Sequence, residues 1–98
     1  MRLQLQLTPQ KRARLIKDLR ALINLNIGGG DGDNVLALFL KEIRFKNNFE
    51  IADDVIQFVY LCLDLHSLSM PGTIEPDEGL DHELLKEISI CIGEQLSA

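Results

Sequence analysis

The chain has 98 residues, of which 46% are hydrophobic, and its formal net charge is −5. This length predicts one domain, residues 1–98, with a modest hydrophobic core. No stretch has the length and apolarity of a membrane span, and residues 1–20 lack the apolar segment of a signal peptide. The two cysteines, Cys62 and Cys91, fall on apolar faces, as reduced cysteines of cytoplasmic proteins do. We therefore expect a small cytoplasmic globular protein.

Charge is distributed unevenly along the chain. Residues 1–24 hold six bases and one acid, a balance of +5, whereas residues 25–98 hold four bases and fourteen acids, a balance of −10. An acidic balance disfavours general nucleic-acid binding and favours association with a basic surface. We therefore expect a basic protein as the partner, rather than a nucleic acid or a membrane.

The amino-terminal residues have the periodicity of a strand. Leu3, Leu5 and Leu7 alternate with polar residues, so every second side chain is apolar. No partner strand is evident in the sequence. The alternative is an extended segment that lies across the core.

Two helices are predicted next. Thr8 and Pro9 form a helix start, with a capping hydroxyl and a proline at the first helical position, and this first helix should run to about Asn24. Asp33 is the predicted cap of a second helix over about residues 34–45.

The third predicted helix, residues 49–68, is apolar around most of its circumference. Only Asp53, Gln57 and Asp64 form a narrow polar stripe. A helix of this kind in a globular protein is normally buried. We therefore place it at the centre of the domain, with Asn47 or Asn48 as its cap.

A long connection with two prolines leads to a fourth helix, predicted from about Asp81 to Gln95. Its outer side carries Glu83, Glu87 and Glu94 within about 40° of one another. The predicted fold is therefore mainly α: a small four-helix domain around a buried third helix, with a short amino-terminal strand as an alternative to extended chain.

The sequence contains no recognisable catalytic motif. Cys62 and His66, four residues apart on one helical face, are the nearest approach to a nucleophile with a base, but their face is apolar. With His82 and Cys91 they also make up a zinc-ligand inventory, although the usual close pairs of ligands are absent. We expect no enzyme activity, no metal and no cofactor.

Acidic residues continue from the connection into the last helix, in the run 75-EPDEGLDHE-83. In size, acidity, unpaired cysteines and this run, the chain resembles the small immunity proteins of bacterial toxin–immunity pairs, including contact-dependent growth inhibition. The resemblance implies a stoichiometric inhibitor that covers the active or binding site of a basic, nuclease-type toxin. The residues expected to bind the partner are Glu75, Asp77, Glu78, Asp81, Glu83 and Glu87.

Two alternatives remain open. Lys11, Arg14, Lys17 and Arg20 lie on one side of the first helix, which is the pattern of a regulatory or nucleic-acid-associated helical protein that binds phosphates. Leu38 and Phe45, seven residues apart on the second helix, suggest instead the contact surface of a homodimer.

Overall fold

The structure is a computed structural model that describes residues 1–25, 34–68 and 79–98. These residues form four helices and two short strands. In chain order the elements are β1 (Arg2–Gln4), α1 (Pro9–Asn24), α2 (Val35–Ile43), β2 (Asn48–Glu50), α3 (Asp53–His66) and α4 (His82–Ser97). The predicted four-helix, mainly α architecture is confirmed, and of the two alternatives for the amino-terminal residues the structure has the strand.

The partner of the amino-terminal strand lies where the sequence predicted the start of the third helix. β1 pairs with β2 in antiparallel register, with Leu3 opposite Phe49, and both side chains are buried. Residues 48–50 are therefore a strand, and α3 begins only at Asp53, after Ala52. The prediction that Asn47 or Asn48 caps the third helix is wrong, because Ala52 holds the capping position and makes no side-chain capping bond.

Side-chain caps begin the first two helices. The Thr8 hydroxyl accepts a hydrogen bond from the Lys11 backbone N–H at 3.1 Å, as predicted. The cap of α2 is Asn34, whose Oδ1 accepts from the Leu36 N–H at 2.9 Å. Asp33, the predicted cap, lies outside the described residues, and the capping position belongs to its neighbour.

The hydrophobic core lies between α3, α4, α2 and α1, where α3 packs against both α4 and α2, and α1 packs against α2. A single contiguous cluster of buried side chains joins these helices to the leucines of the amino-terminal segment. The largest fully buried side chains are Phe39, Leu3, Leu15, Leu19, Leu22, Leu36, Ile43, Ile56, Leu63, Leu85, Ile92 and Val59.

The third helix is buried on one side only. Ile56, Val59 and Leu63 are fully buried, whereas Leu61 and Leu65 on the opposite side are exposed. The expectation of a helix buried on nearly every side is therefore correct for its inner side and wrong for its outer side. α3 consequently has one apolar side in the core and a second one in solvent.

A side chain from α4 covers the outer edge of β1. The Gln95 amide donates to the Gln4 carbonyl oxygen at 2.7 Å and accepts from the Gln4 N–H at 2.8 Å. These are the two hydrogen bonds that a neighbouring strand would make. Since an unpaired strand edge favours pairing with other chains, Gln95 both attaches α4 to β1 and protects this edge.

Arg12 of α1 holds the end of α2. Its guanidinium donates to the carbonyl oxygens of Ile43 and Lys46 and to Oδ1 of Asn47. The last carbonyls of a helix have no partner within the helix and carry partial negative charge, so a cation is favourable there. Arg12 therefore fixes the turn that leads from α2 into β2.

We expect Arg12→Met to lower the free energy of unfolding by about 2 kcal/mol, because several buried or half-buried acceptors lose a charged donor. Urea unfolding monitored by circular dichroism measures this change. Arg20→Met is the matched control, since Arg20 lies on the same helix, is exposed and has no bonding partner among the described residues. The control should change stability by less than about 0.5 kcal/mol. Equal effects of the two substitutions would contradict the role of Arg12.

Asp18, the one acid of the basic α1, is buried and holds the start of α4. Its Oδ2 accepts from the Asp81 backbone N–H at 3.1 Å, and its Oδ1 lies 3.4 Å from Nε of Arg14. Burial raises the pKa of the Asp18 carboxyl above its ordinary value of 3.8, although the Asp81 N–H, Arg14 and Lys17 each act to lower it and Asp81 adds to the increase.

Asp18→Asn should become more stable relative to the wild type as the pH rises above 3.8. The native wild-type protein holds the Asp18 proton more tightly than the unfolded chain does. The contribution of this group is therefore complete below the unfolded pKa and is lost as the pH rises through the higher native pKa. Asparagine does not ionise, so position 18 of the variant makes no such pH-dependent loss, and the difference in the free energy of unfolding between the two proteins isolates Asp18. Urea unfolding of both proteins from about pH 4 to about pH 7 tests this, and a constant or falling difference would contradict it.

Candidate functional site

Of the six predicted partner-binding residues, Asp81, Glu83 and Glu87 are described by the structure. All three belong to α4 or to its cap. Glu75, Asp77 and Glu78 lie outside the described residues. The candidate site is therefore built from α4 and the residues that flank it.

Asp81 has a structural role that the sequence analysis did not assign to it. It is the cap of α4, and its Oδ1 accepts from the Leu84 backbone N–H at 3.0 Å. Its own backbone N–H donates to Asp18. The residue is half-buried and its carboxylate already accepts a hydrogen bond within the chain, so Asp81 caps α4, and its predicted role in partner binding stays a prediction.

The outer side of α4 presents three exposed carboxylates, those of Glu83, Glu87 and Glu94. Ile90 lies on the same side and is 50% exposed. At 100° per residue the four side chains fall within about 60° of one another and extend about 16 Å along the helix. We call this set of four residues the acidic face. A shallow depression of about 620 Å³ runs along it and also contacts Lys86, Cys91 and Gln95.

One carboxylate of the acidic face is paired within the chain. Nζ of Lys11 on α1 lies 2.7 Å from Oε2 of Glu87, and both side chains are about half exposed. An ion pair in this setting contributes little to stability and exchanges readily with other partners. Glu83 and Glu94 have no bonding partner among the described residues. The acidic face therefore keeps two free carboxylates beside one that is weakly held.

The basic residues of α1 are divided between internal contacts and solvent. Lys11 pairs with Glu87, and Arg14 pairs with Asp18 and donates to the Gly79 carbonyl oxygen. Lys17 and Arg20 are exposed and have no bonding partner within the described part of the chain. The basic side predicted for this helix is thus reduced to two free cations.

Cys62 is buried, and the His66 backbone lies where α3 meets the start of α4. Burial raises the pKa of the Cys62 thiol, which disfavours the nucleophilic thiolate. Nδ1 of His82 donates to the His66 carbonyl oxygen at 3.0 Å and so connects the end of α3 to the start of α4. Among residues 1–25, 34–68 and 79–98, no three His, Cys, Asp or Glu side chains come together as a metal site.

Two further surface features bear on the predicted partners. Leu38 and Phe45 of the α2 region are both exposed, and the Arg44 guanidinium lies 5.6 Å from the centre of the Phe45 ring. In the described ranges, no helix combines the length and the apolarity needed to cross a membrane.

Ile90 is the residue of this site that the sequence analysis missed. Helical spacing in the sequence does indicate where it lies, because Ile90 comes seven residues after Glu83 and four before Glu94 and so shares their side of the helix. An isoleucine next to Cys91 and Ile92 is easily assigned to the core, although its spacing from Glu83 and Glu94 places it on the outer side, and the structure shows it half exposed.

Comparisons of the chain with protein-family models, with curated proteins and with solved structures gave no match.

Proposed function

We propose that this chain is a stoichiometric protein-binding inhibitor that acts in the cytoplasm and neutralises a basic, nuclease-type toxin. The acidic face of α4 binds the toxin and covers its active or substrate-binding site. The observation that carries this proposal is the exposed Ile90 among the carboxylates of Glu83, Glu87 and Glu94 on one side of one helix.

An apolar anchor surrounded by charges is the arrangement that protein interfaces favour. Anchors near the centre of an interface supply most of the binding energy when the partner offers a pocket and the surrounding residues exclude water. Carboxylates around the anchor select a partner with lysines or arginines around that pocket. A nuclease has such a surface, because it must bind the phosphates of its substrate. The carboxylates of α4 would take the place of those phosphates.

Charge complementarity also supports rapid association of the inhibitor with the toxin at low salt. The chain has a net charge of −5, and the acidic face concentrates part of that charge on a rigid helix. Opposite charges on two surfaces increase the rate of association, and salt reduces this effect because the screening length is about 8 Å at physiological ionic strength. Binding through the acidic face should therefore weaken as salt is added.

The alternative role, phosphate binding by α1, has less support. Arg14, one of its four predicted cations, is held by Asp18 and by the Gly79 carbonyl oxygen, whereas Lys11 makes only the weak pair with Glu87. Affinity for a nucleic acid depends on the number of phosphates that are neutralised. Lys11, Lys17 and Arg20 would neutralise only a few phosphates on a chain whose net charge is −5, so the acidic face is the better-supported surface.

Glu83→Lys combined with Glu94→Lys should weaken capture of the partner at least ~100-fold, because two attractive contacts become repulsive. Neither carboxylate bonds within the described chain, so the free energy of unfolding should change by less than about 1 kcal/mol. The measurement is capture of the partner from a lysate of the native host by tagged wild type and by the variant, at low salt and after nuclease treatment. The captured basic protein is then titrated with each purified chain.

The control for net charge is Glu50→Lys combined with Asp54→Lys, which makes the same change in net charge at exposed positions of β2 and α3. Because Glu50 pairs with Arg2 across the two strands, circular dichroism verifies that this variant is folded. This control should bind the partner nearly as well as the wild type at physiological salt. If both double variants reduce the affinity for the partner equally, the effect comes from net charge alone, and the binding site is not on α4. Loss of all captured protein after nuclease treatment would favour the α1 alternative and overturn the proposal.

A further inference from the structure

Four large apolar side chains form an exposed stripe along α3. Phe58, Leu61, Leu65 and Leu68 are exposed to 46%, 61%, 63% and 44%. They are spaced by three, four and three residues, and Leu68 continues the last turn because its N–H bonds to the Leu65 carbonyl. We call these four residues the α3 stripe.

The α3 stripe is longer and less interrupted than the exposed apolar positions of the two helices that pack against α3. The outer side of α4 alternates Ile90 with glutamates, and the α2 region exposes only the pair Leu38 and Phe45. No charged residue separates the members of the α3 stripe along its line, since Asp54 lies one turn before it and Asp64 lies to one side. An uninterrupted apolar line over three turns is the pattern of a helix that packs against another helix.

The spacing of the stripe is symmetric about position 63. A two-fold axis at that position places Phe58 of one chain opposite Leu68 of another, and Leu61 opposite Leu65. The commonest oligomers have this symmetry, in which the same patch on both subunits forms the contact. We propose that the α3 stripe binds the α3 stripe of a second copy of this chain, with the two helices antiparallel.

The area of the stripe is sufficient for a dimer of moderate affinity. At the exposed fractions above, the four side chains leave on the order of 400 Å² of apolar surface in solvent, at the size where patches on soluble proteins are often functional. Two facing stripes would remove roughly 800 Å² of apolar surface from solvent. The flanking residues would raise the total buried surface to about 1,200 Å², the lower limit of specific interfaces. We expect a dissociation constant on the order of 10 μM.

Salt should affect this dimer and the toxin complex in opposite directions. Each copy has a net charge of −5, so the two copies repel one another and added salt reduces that repulsion. The dimer should therefore become tighter with salt, whereas binding through the acidic face becomes weaker. Measuring both interactions at several salt concentrations therefore distinguishes the two surfaces without any substitution.

The decisive experiment measures self-association of the full chain by sedimentation equilibrium. Leu61→Glu combined with Leu65→Glu should abolish the dimer at concentrations where the wild type is mostly dimeric, because it places carboxylates against carboxylates at the interface centre. Leu61→Lys combined with Leu65→Glu should weaken the dimer less than the double glutamate does, since antiparallel pairing puts each lysine opposite a glutamate instead of setting two carboxylates against each other. These two variants carry charges at the same positions and differ only in one sign.

The control is Leu38→Glu combined with Phe45→Glu, which alters the exposed apolar pair of α2 and should leave the dimer intact. Circular dichroism verifies that each variant is folded.

A wild type that stays monomeric at all concentrations and salt levels would overturn the proposal, as would loss of the dimer only in the α2 variant. A Leu61→Lys, Leu65→Glu chain that self-associates no better than the Leu61→Glu, Leu65→Glu chain would overturn the antiparallel arrangement. A monomeric wild type whose toxin capture falls with Leu61→Glu, Leu65→Glu would assign the stripe to the toxin instead.

Discussion

The position of α4 depends on a buried carboxylate that belongs to a different helix. Asp18 of α1 accepts the backbone N–H of Asp81, the residue that caps α4, while Arg14 lies beside the same carboxylate. A buried acid costs free energy unless it is bonded, and this one is bonded to the element that it positions. The direction in which α4 starts, and with it the side on which Glu83 and Ile90 emerge, therefore depends on this contact and on the packing of α4 against α3.

The uneven charge of the sequence has a largely internal explanation. Most of the bases near the amino terminus contact other parts of the chain: Arg12 holds the end of α2, Arg14 pairs with Asp18, and Lys11 pairs with Glu87. A cation at a helix end or beside a buried acid stabilises the fold, and it is then less available to a phosphate. Arg12 and Arg14 are therefore part of the scaffold, whereas Glu83 and Glu94 of α4 make no such contact among the described residues.

Local patterns in the sequence were sufficient to predict that four helices form, but they were insufficient to predict contacts between residues far apart in the chain. The leucine alternation, the Thr8–Pro9 start and the glutamates of the last helix were all predictable, since each depends on neighbours a few residues away. The pairing of Leu3 with Phe49 joins residues far apart in the chain. Phe49 also fits the apolar pattern of the predicted third helix, so its place in a strand was not evident from the local sequence. The burial of Asp18 depends on packing between helices, which periodicity does not report, whereas the capping by Asp81 is a contact between residues three apart that the sequence could have indicated.

The outer side of α3 shows a more general limit of periodicity. Apolar residues all round a helix indicate that each side meets something apolar, but the pattern cannot say whether that neighbour belongs to the same chain. The structure supplies neighbours for the side of Ile56 and Leu63 and leaves the side of Leu61 and Leu65 in solvent. If a second copy covers that side, two acidic faces are carried by one assembly related by a two-fold axis. A toxin that itself presents two basic sites would then be bound at both, and the second contact would strengthen the complex without any new residue at the interface.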